Sequence, residues 1–356
     1  MSLIPFDPSE MIAAGKYAPV FSNVPPVTRY NTPVTPRENL RAALGGKMPV
    51  WMPRNKDHVT IITRVSPDNY ARGLVFDSPE KFGGEDMFGI RWKYIPVAGG
   101  SMVEPGNPVL LDANDWEEVI KFPDIASWDW EKDAEEKKPL RDGGRVVAPL
   151  IVNGLFERLV SFMDFDNALI ALIDEDQKNA IHRLFSRLAD MYIAMIYKFK
   201  SLYNADMLTF HDDWGSQRAQ LFSMDTCREM IIPHLERIIA ACHANDMYFE
   251  LHSCGVCERL VPAMIEAGVD YWWPQNCNDI DMLLEMYGGK MLFGVEPDIP
   301  MKPDVSREDA TSAARRLVMT YGAKYAKKPV VAIIPPGPDY YMEAIYEESR
   351  KLFGNA

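Results

Sequence analysis

Tyr248-Phe-Glu-Leu-His-Ser-Cys-Gly255 is the stretch that decides how this chain is read. Tyr248–His252 has strand character, a glycine closes the run, and an amphipathic stretch begins after it. Residues i and i+2 of a strand project to one face, so the His252 imidazole and the Cys254 thiol are predicted to point the same way. Both are good ligands for Zn²⁺, and zinc lowers the pKa of a bound thiol enough to make it a thiolate. The carboxyl end of a strand, ahead of a helix, is where barrel enzymes place their chemistry. By the same parity Glu250 sits below His252 and is expected to orient the imidazole, while Phe249 and Leu251 face the helices. Two ligands do not close a site.

Working outward, strand patterns recur at Val146–Val152, Met207–His211, Val269–Trp273, Met291–Val295 and Val330–Ile334. Helical patterns lie between and after them at Asn179–Lys198, Ser223–Ala244, Glu258–Ala267, Asp281–Tyr287, Ser306–Tyr321 and Tyr341–Phe353. In the first of these, Ile181, Leu184, Phe185, Leu188, Tyr192 and Met195 recur at helical spacing. Strand–helix alternation of this kind implies a parallel sheet. No Gly-x-Gly-x-x-Gly turn marks a nucleotide crevice, so the expected fold class is α/β, a (β/α)₈ TIM barrel. It occupies residues 37–356, with an irregular insertion around 76–145. Seven prolines in the first 36 residues make residues 1–36 a proline-rich N-terminal extension, an arm lying over the body or over a partner subunit. Thr35 and Pro36 open a helix, and Pro49–Arg54 reads as a first strand.

The chain has 356 residues, 47% of them hydrophobic, enough for one large core. A net charge of −13 argues against a nucleic-acid or anionic-membrane surface and fits a cytoplasmic protein that handles small molecules. No apolar run approaches the length of a membrane span, and no secretory signal pattern opens the chain. The cysteines, Cys227, Cys242, Cys254, Cys257 and Cys277, cluster in one third of it, unlike a disulfide framework.

Polar clusters mark the other strand ends. In Phe210-His-Asp-Asp-Trp-Gly-Ser-Gln217, Asp212 and Asp213 adjoin, so only one is expected to face a central site. One reading makes them caps for backbone N–H groups; the other makes them a substrate anchor or general acid/base, with His211 and Gln217 on the substrate. In Tyr271-Trp-Trp-Pro-Gln-Asn-Cys277, Cys277 is either a third metal ligand or a buried thiol, and Trp273 and Gln275 share its parity. Glu296 and Asp298 follow a further strand, and Ile333–Tyr341 is a rigid turn ending in Tyr340 and Tyr341. Aromatic residues gather at these loops, namely Trp51, Trp92, Trp214, Trp272, Trp273, Tyr340 and Tyr341. A mouth lined this way suits a flat, largely apolar ligand.

In Thr35-Pro-Arg-Glu, Pro49-Val-Trp-Met-Pro-Arg54, Glu85-Asp-Met-Phe-Gly-Ile-Arg-Trp92, His211-Asp-Asp-Trp-Gly-Ser-Gln217, Leu251-His-Ser-Cys-Gly255 and Ala267-Gly-Val-Asp270, the chain resembles the uroporphyrinogen decarboxylase superfamily, and within it the cobalamin-linked methyltransferase branch. The resemblance implies a (β/α)₈ barrel and, in that branch, zinc held by the His-x-Cys, here His252 and Cys254. A cysteine near the last strand usually completes that site, but no cysteine follows Cys277. The related methionine synthases carry a glutamate ligand soon after their His-x-Cys, where this chain has Gln275 with Cys277 close by. Of the two arginines that hold porphyrin carboxylates in the decarboxylase, Arg54 remains, with Asp57 and His58 where the second should fall.

The resemblance thus implies a methyltransferase moving a methyl group between a small donor, for which the aromatic loops suggest a methoxylated aromatic, and a corrinoid (cobalamin) carried by a partner protein. Zinc, or an acid such as Asp212 or Glu296, would polarise the methylated oxygen. Trp51, Arg54, His211, Gln217, Trp273, Gln275 and Tyr340 are the expected substrate contacts, and a homodimer the expected assembly. A decarboxylase acting on another substrate and a non-catalytic barrel are the alternatives.

Overall fold

The computed structural model describes residues 4–20, 25–75, 82–97, 100–302, 304–325, 328–335 and 339–354. The chain divides into two compact units, Thr60–Lys138 with Ala148–Val269, and Met1–Val59 with Pro139–Val147 and Asp270–Ala356.

In the first unit, Met207–His211 pairs in parallel with Tyr248–His252, in register from Met207 opposite Tyr248 to His211 opposite His252. On its other side Met207–His211 pairs with Val146–Ile151, Leu150 lying opposite Thr209. A parallel pair needs a crossover, and the helix Lys178–Tyr203 supplies one. Its face of Ile181, Leu184, Phe185, Leu188, Tyr192 and Met195 is buried, as the spacing predicts. Asn204, left-handed at φ 52°, ends it. The helical pattern of Ser223–Ala244 appears as a short helix Met224–Thr226, a π-helical turn Cys227–Ile231 and the helix Ile232–Ala244. The poorly patterned stretch before residue 145 holds an antiparallel sheet of Gly83–Glu85, Arg91–Ile95 and Gly100–Val103. Its strands are three to five residues long, too short for alternation to show in the sequence.

In the second unit, Tyr271–Trp272, Leu292–Val295 and Val330–Ala332 pair in parallel, with helices Ile280–Tyr287 and Arg307–Leu317 between them and Asp339–Gly354 after them. The expected strand Pro49–Arg54 is a correction. Its single bridge joins Arg54 to Ala332, because Pro49 and Pro53 have no N–H to give a ladder, and a regular strand starts only at His58. The N-terminal arm is not purely extended. Asp7 caps a 3₁₀ turn, Pro8–Met11, and Ala13–Lys16 pairs with Thr28–Tyr30. Buried Glu10 accepts from Arg350 Nε at 2.7 Å and from the Tyr346 hydroxyl at 2.6 Å, which ties the arm to the last helix.

Both units are built from the β–α alternation of a TIM-barrel-like α/β fold. The described residues hold seven parallel strands, one fewer than the eight expected. Among the described residues no helix is long and apolar enough to cross a membrane.

One buried contact carries a pH signature. Between helices Lys178–Tyr203 and Ile232–Ala244, His182 Nδ1 lies 3.0 Å from His234 Nε2. Burial, then the charges of His182 and Arg237, push His234 down to about 4. As pH falls below about 6.5 the unfolded chain takes up a proton that the folded chain refuses. The stability this group confers is therefore complete above pH 6.5 and is lost as pH drops toward 4. With solvent screening discounted it amounts to about 1–2 kcal/mol. The unfolding midpoint should fall across that window, and His234→Leu should make the fall shallower; an unchanged slope would remove His234 from the account.

Candidate metal centre

His211 and His252 end adjacent parallel strands at the same register, so their rings stack, with centroids 4.6 Å apart and planes 18° from parallel. The loops beyond them are locked together. Asp212 N donates to the His252 carbonyl at 2.9 Å, and Cys254 N donates to Asp213 Oδ1 at 2.8 Å. Val256 N donates to the Ser216 carbonyl at 2.9 Å. This crossing explains the glycine that follows the His-Ser-Cys. Gly255 has φ +78°, and a Cβ there would lie 2.3 Å from the Gly215 carbonyl carbon. Strand parity holds through the turn. Ser253 points into the loop, accepting from Trp214 N at 2.9 Å, while His252 Nε2 and Cys254 Sγ stand 3.7 Å apart.

His211, Asp213 and His252 each bring one donor atom into a set lying within 4.8 Å of one another. Burial, then the neighbouring His211, hold His252 down to about 3, so it is a neutral imidazole with a lone pair to give. His211 is poised by Glu157, whose Oε2 sits 2.6 Å from Nδ1; with that nitrogen satisfied, Nε2 is left for a cation. Burial opposes the His211 imidazolium, but Glu157 outweighs it and raises the pKa. Burial likewise opposes the Glu157 charge, yet Arg72, which donates to Oε1 at 3.0 Å, and His211 bring it down to about 2. Two imidazoles and a carboxylate with a thiol alongside form a donor set that fits a divalent transition ion. Burial, then Asp213, push Cys254 up to about 12, so without a cation it is a thiol.

Asp212 does something else. It is fully buried and accepts from Phe156 N at 3.1 Å, Glu157 N at 2.8 Å and Trp214 Nε1 at 2.9 Å. It caps the helix Leu155–Met163, whose own N-cap is Gly154. A Cβ on Gly154 would lie 2.5 Å from Asp212 Cβ, so the glycine makes room for a cap supplied from another segment. Burial, then Glu157, push Asp212 up to about 7, against the three donors that favour its charge. Of the two adjacent aspartates, then, one holds a helix and the other faces the cluster. Glu250 is a correction too: it takes a hydrogen bond from Thr209, opposite it on the next strand, at 2.6 Å, not from the His252 imidazole.

Most of the remaining sequence candidates make hydrogen bonds or lie buried within their own units. Gln217 is exposed in the loop after Trp214. In the second unit, Trp273 Nε1 donates to Glu296 Oε1 at 3.1 Å and Asn276 to Glu296 Oε2 at 2.6 Å. Gln275 gives its carbonyl to Asn278 Nδ2, which also donates to Cys277 Sγ at 3.7 Å. Tyr340 bonds the Val305 carbonyl, while residues 336–338 of the rigid turn lie outside the described residues. The aromatic mouth is corrected. Trp51, Trp92, Trp214, Trp272 and Tyr341 are all buried. Trp51 gives its indole N–H to Asp57 at 3.0 Å, and Arg54, buried beside it, is clamped by the same carboxylate.

Sequence reasoning missed Glu157, Arg72 and Asn153. Glu157 follows the strand Val146–Ile151 by six residues, so the strand-end logic that found His211 and His252 applies to it as well. Arg72 lies in the unpatterned stretch and gives no signal. Asn153, left-handed at φ 63°, accepts from Arg72 Nη1 at 3.0 Å and so holds the guanidinium that holds Glu157. Glu157→Gln should weaken divalent-metal affinity roughly ten- to hundredfold, as read by competition titration against a chromophoric chelator; unchanged affinity would mean His211 is oriented without it.

The class defined to this point is a TIM-barrel-like α/β protein with a candidate metal centre at strand carboxyl ends. Among solved structures, a methyltransferase from Methanosarcina mazei is 15% identical over 90% of this chain and 99% of its own, at a TM-score of 0.61. That likeness is one of fold. A D-psicose 3-epimerase, 10% identical over 67% of this chain and 84% of its own, reaches a TM-score of only 0.35. No family model matches the chain, and no curated protein does.

Proposed function

We propose that this chain is a methyltransferase that moves a methyl group between a small methylated donor and a corrinoid carried by a partner protein. One observation carries the reading: His211, Asp213 and His252 converge at the strand ends of a fold shared with the Methanosarcina methyltransferase. A divalent cation, zinc among them, held by these three residues would supply Lewis acidity toward the donor heteroatom. The chain's own residues prepare that site. Glu157, fixed by Arg72, aims the His211 ring. Asp213 receives the Cys254 amide, which keeps carboxylate and thiol together. Cys254, beside His252, is a fourth donor in reserve once its proton leaves. Asp212 positions rather than reacts. Cys277 is left outside the ligand set. The aromatics that suggested a methoxylated ring are mostly buried, so the reading commits to a small methylated donor and not to an aromatic one. A corrinoid protein, and a second copy of the chain in a cytoplasmic homodimer, are the partners this reading implies.

The test is to incubate the pure protein with a reduced corrinoid protein and a panel of methyl donors. A methylcobalt absorbance band with one donor supports the reading. Its absence with every donor sinks it, and carbon dioxide release without corrinoid would point to the decarboxylase alternative.

A further inference from the structure

A second polar cluster lies at the opposite kind of place, the amino ends of strands. His58 opens the strand His58–Ile61 and Arg145 immediately precedes Val146–Ile151. Val146 N donates to the Asp57 carbonyl at 3.0 Å, which sets Arg145 beside the segment Arg54–His58. Arg54 and Arg145 are each only 5% exposed. Three buried nitrogens here have no hydrogen-bond partner, namely Arg54 Nη1, His58 Nδ1 and Arg145 Nε. Tyr17 of the N-terminal arm covers the group, with Arg145 Cζ 4.5 Å from its ring centroid, and Arg145 Nη2 gives one bond to the Ala18 carbonyl at 3.3 Å.

The charges do not balance. Arg54 and Arg145 have Asp57 beside them, its carboxylate already committed to the Trp51 indole and to the Arg54 amide and guanidinium, and Lys56 adds a further positive charge next to Arg145. Burial, then the repulsion of Arg145, lower Lys56, and burial, then Arg145 and Lys56, push His58 down to about 4. These three groups therefore feel one another. A buried water could satisfy the nitrogens but would leave the surplus positive charge uncompensated. An anion would do both. We propose that Lys56, His58 and Arg145 form a binding site for a small oxyanion, a phosphate or carboxylate group, closed over by Tyr17. This does not depend on the methyltransferase reading.

The test is thermal unfolding of the full chain in inorganic phosphate, in succinate and in sodium chloride of equal ionic strength. Phosphate or succinate should raise the midpoint above the chloride control, and whichever acts assigns the anion class. Lys56→Met should weaken that response at least roughly tenfold in concentration, the loss of one charge-assisted hydrogen bond, while leaving the anion-free chain as stable or more so. Arg145→Gln should abolish the response; if that variant does not fold, Lys56→Met, altering a half-buried side chain, decides alone. No rise with either anion, or an equal rise in Lys56→Met, overturns the proposal.

Discussion

His252→Ala, Asp213→Ala and His211→Ala chains should each purify without bound divalent metal, whereas Cys277→Ala should keep it. The expectation follows from which donor atoms converge. The three that lie within 4.8 Å of one another come from two imidazoles and one carboxylate, and none is a thiol sulfur. Removing any of them leaves two of the three, with only the Cys254 thiol, whose proton must first leave, to stand in for the third. Affinity should fall by more than the roughly ten- to hundredfold that loss of an orienting partner such as Glu157 costs. Methyl transfer should fall with it. Cys254→Ala is the informative intermediate, because its sulfur is 3.7 Å from His252 Nε2 and can join the set. With cobalt(II) substituted for the native ion, a sulfur-to-metal charge-transfer band that disappears in Cys254→Ala would make the thiol a fourth ligand, and a cobalt protein without the band would make it a bystander. Metal retained in His252→Ala, or lost in Cys277→Ala, would overturn the assignment. Elemental analysis of the purified variants is sufficient to read both.

How far this site could be read from sequence divides along a physical line. The parity of Tyr248–Cys254 was legible because a strand's two-residue repeat is local, and it survives into the turn that Gly255 makes possible. The same holds for Lys178–Tyr203, whose apolar face is a local 3.6-residue pattern. What was not legible is pairing across the chain. Nothing in His211-Asp-Asp-Trp214 says that Asp212 turns to the amino end of the helix Leu155–Met163 while Asp213 turns to the histidines. The tryptophans mislead for a related reason. Trp51 and Trp214 sit at loops and Trp92 near the start of a short strand, where aromatic rings suggest a ligand mouth, yet each gives its indole N–H to an aspartate, Trp51 to Asp57, Trp214 to Asp212 and Trp92 to Asp86. A buried indole needs such a partner, so an aspartate near a tryptophan in these motifs marks a buried pair as readily as a site. The resemblance motifs thus mix chemistry with architecture: the His-Ser-Cys-Gly carries ligands, while Glu85–Trp92 carries a turn wound around Asp86.

That turn supports the second large effect. Arg158 is fully buried and pairs with Asp86 at 2.5 Å and with Asp68. Asp86 also accepts from Phe88 N at 2.8 Å and Ile90 N at 2.9 Å. Asp68 accepts from Met87 N at 3.0 Å and Asn153 Nδ2 at 3.3 Å. Arg158→Met would leave two carboxylates buried without a counter-charge. Removing one partner of a buried ion pair costs about 3–5 kcal/mol, a large share of the 5–15 kcal/mol that keeps a domain folded. Arg158→Met should therefore lower the urea midpoint strongly or prevent folding. The triple variant Arg158→Met, Asp68→Asn, Asp86→Asn should recover most of that loss, since removing every charge also removes the desolvation cost. The consequence reaches the metal centre through one helix. Arg158 adjoins Glu157, which aims His211, and Asp68 holds Asn153, which accepts from Arg72 behind Glu157. The triple variant should thus regain stability while metal affinity stays low, because neutral side chains restore packing but do not fix Arg72 and Glu157 in place. Recovery of both together would show that the buried charges are structural alone, and a single variant destabilised by less than about 1 kcal/mol would show that Arg158 is not the centre of the cluster.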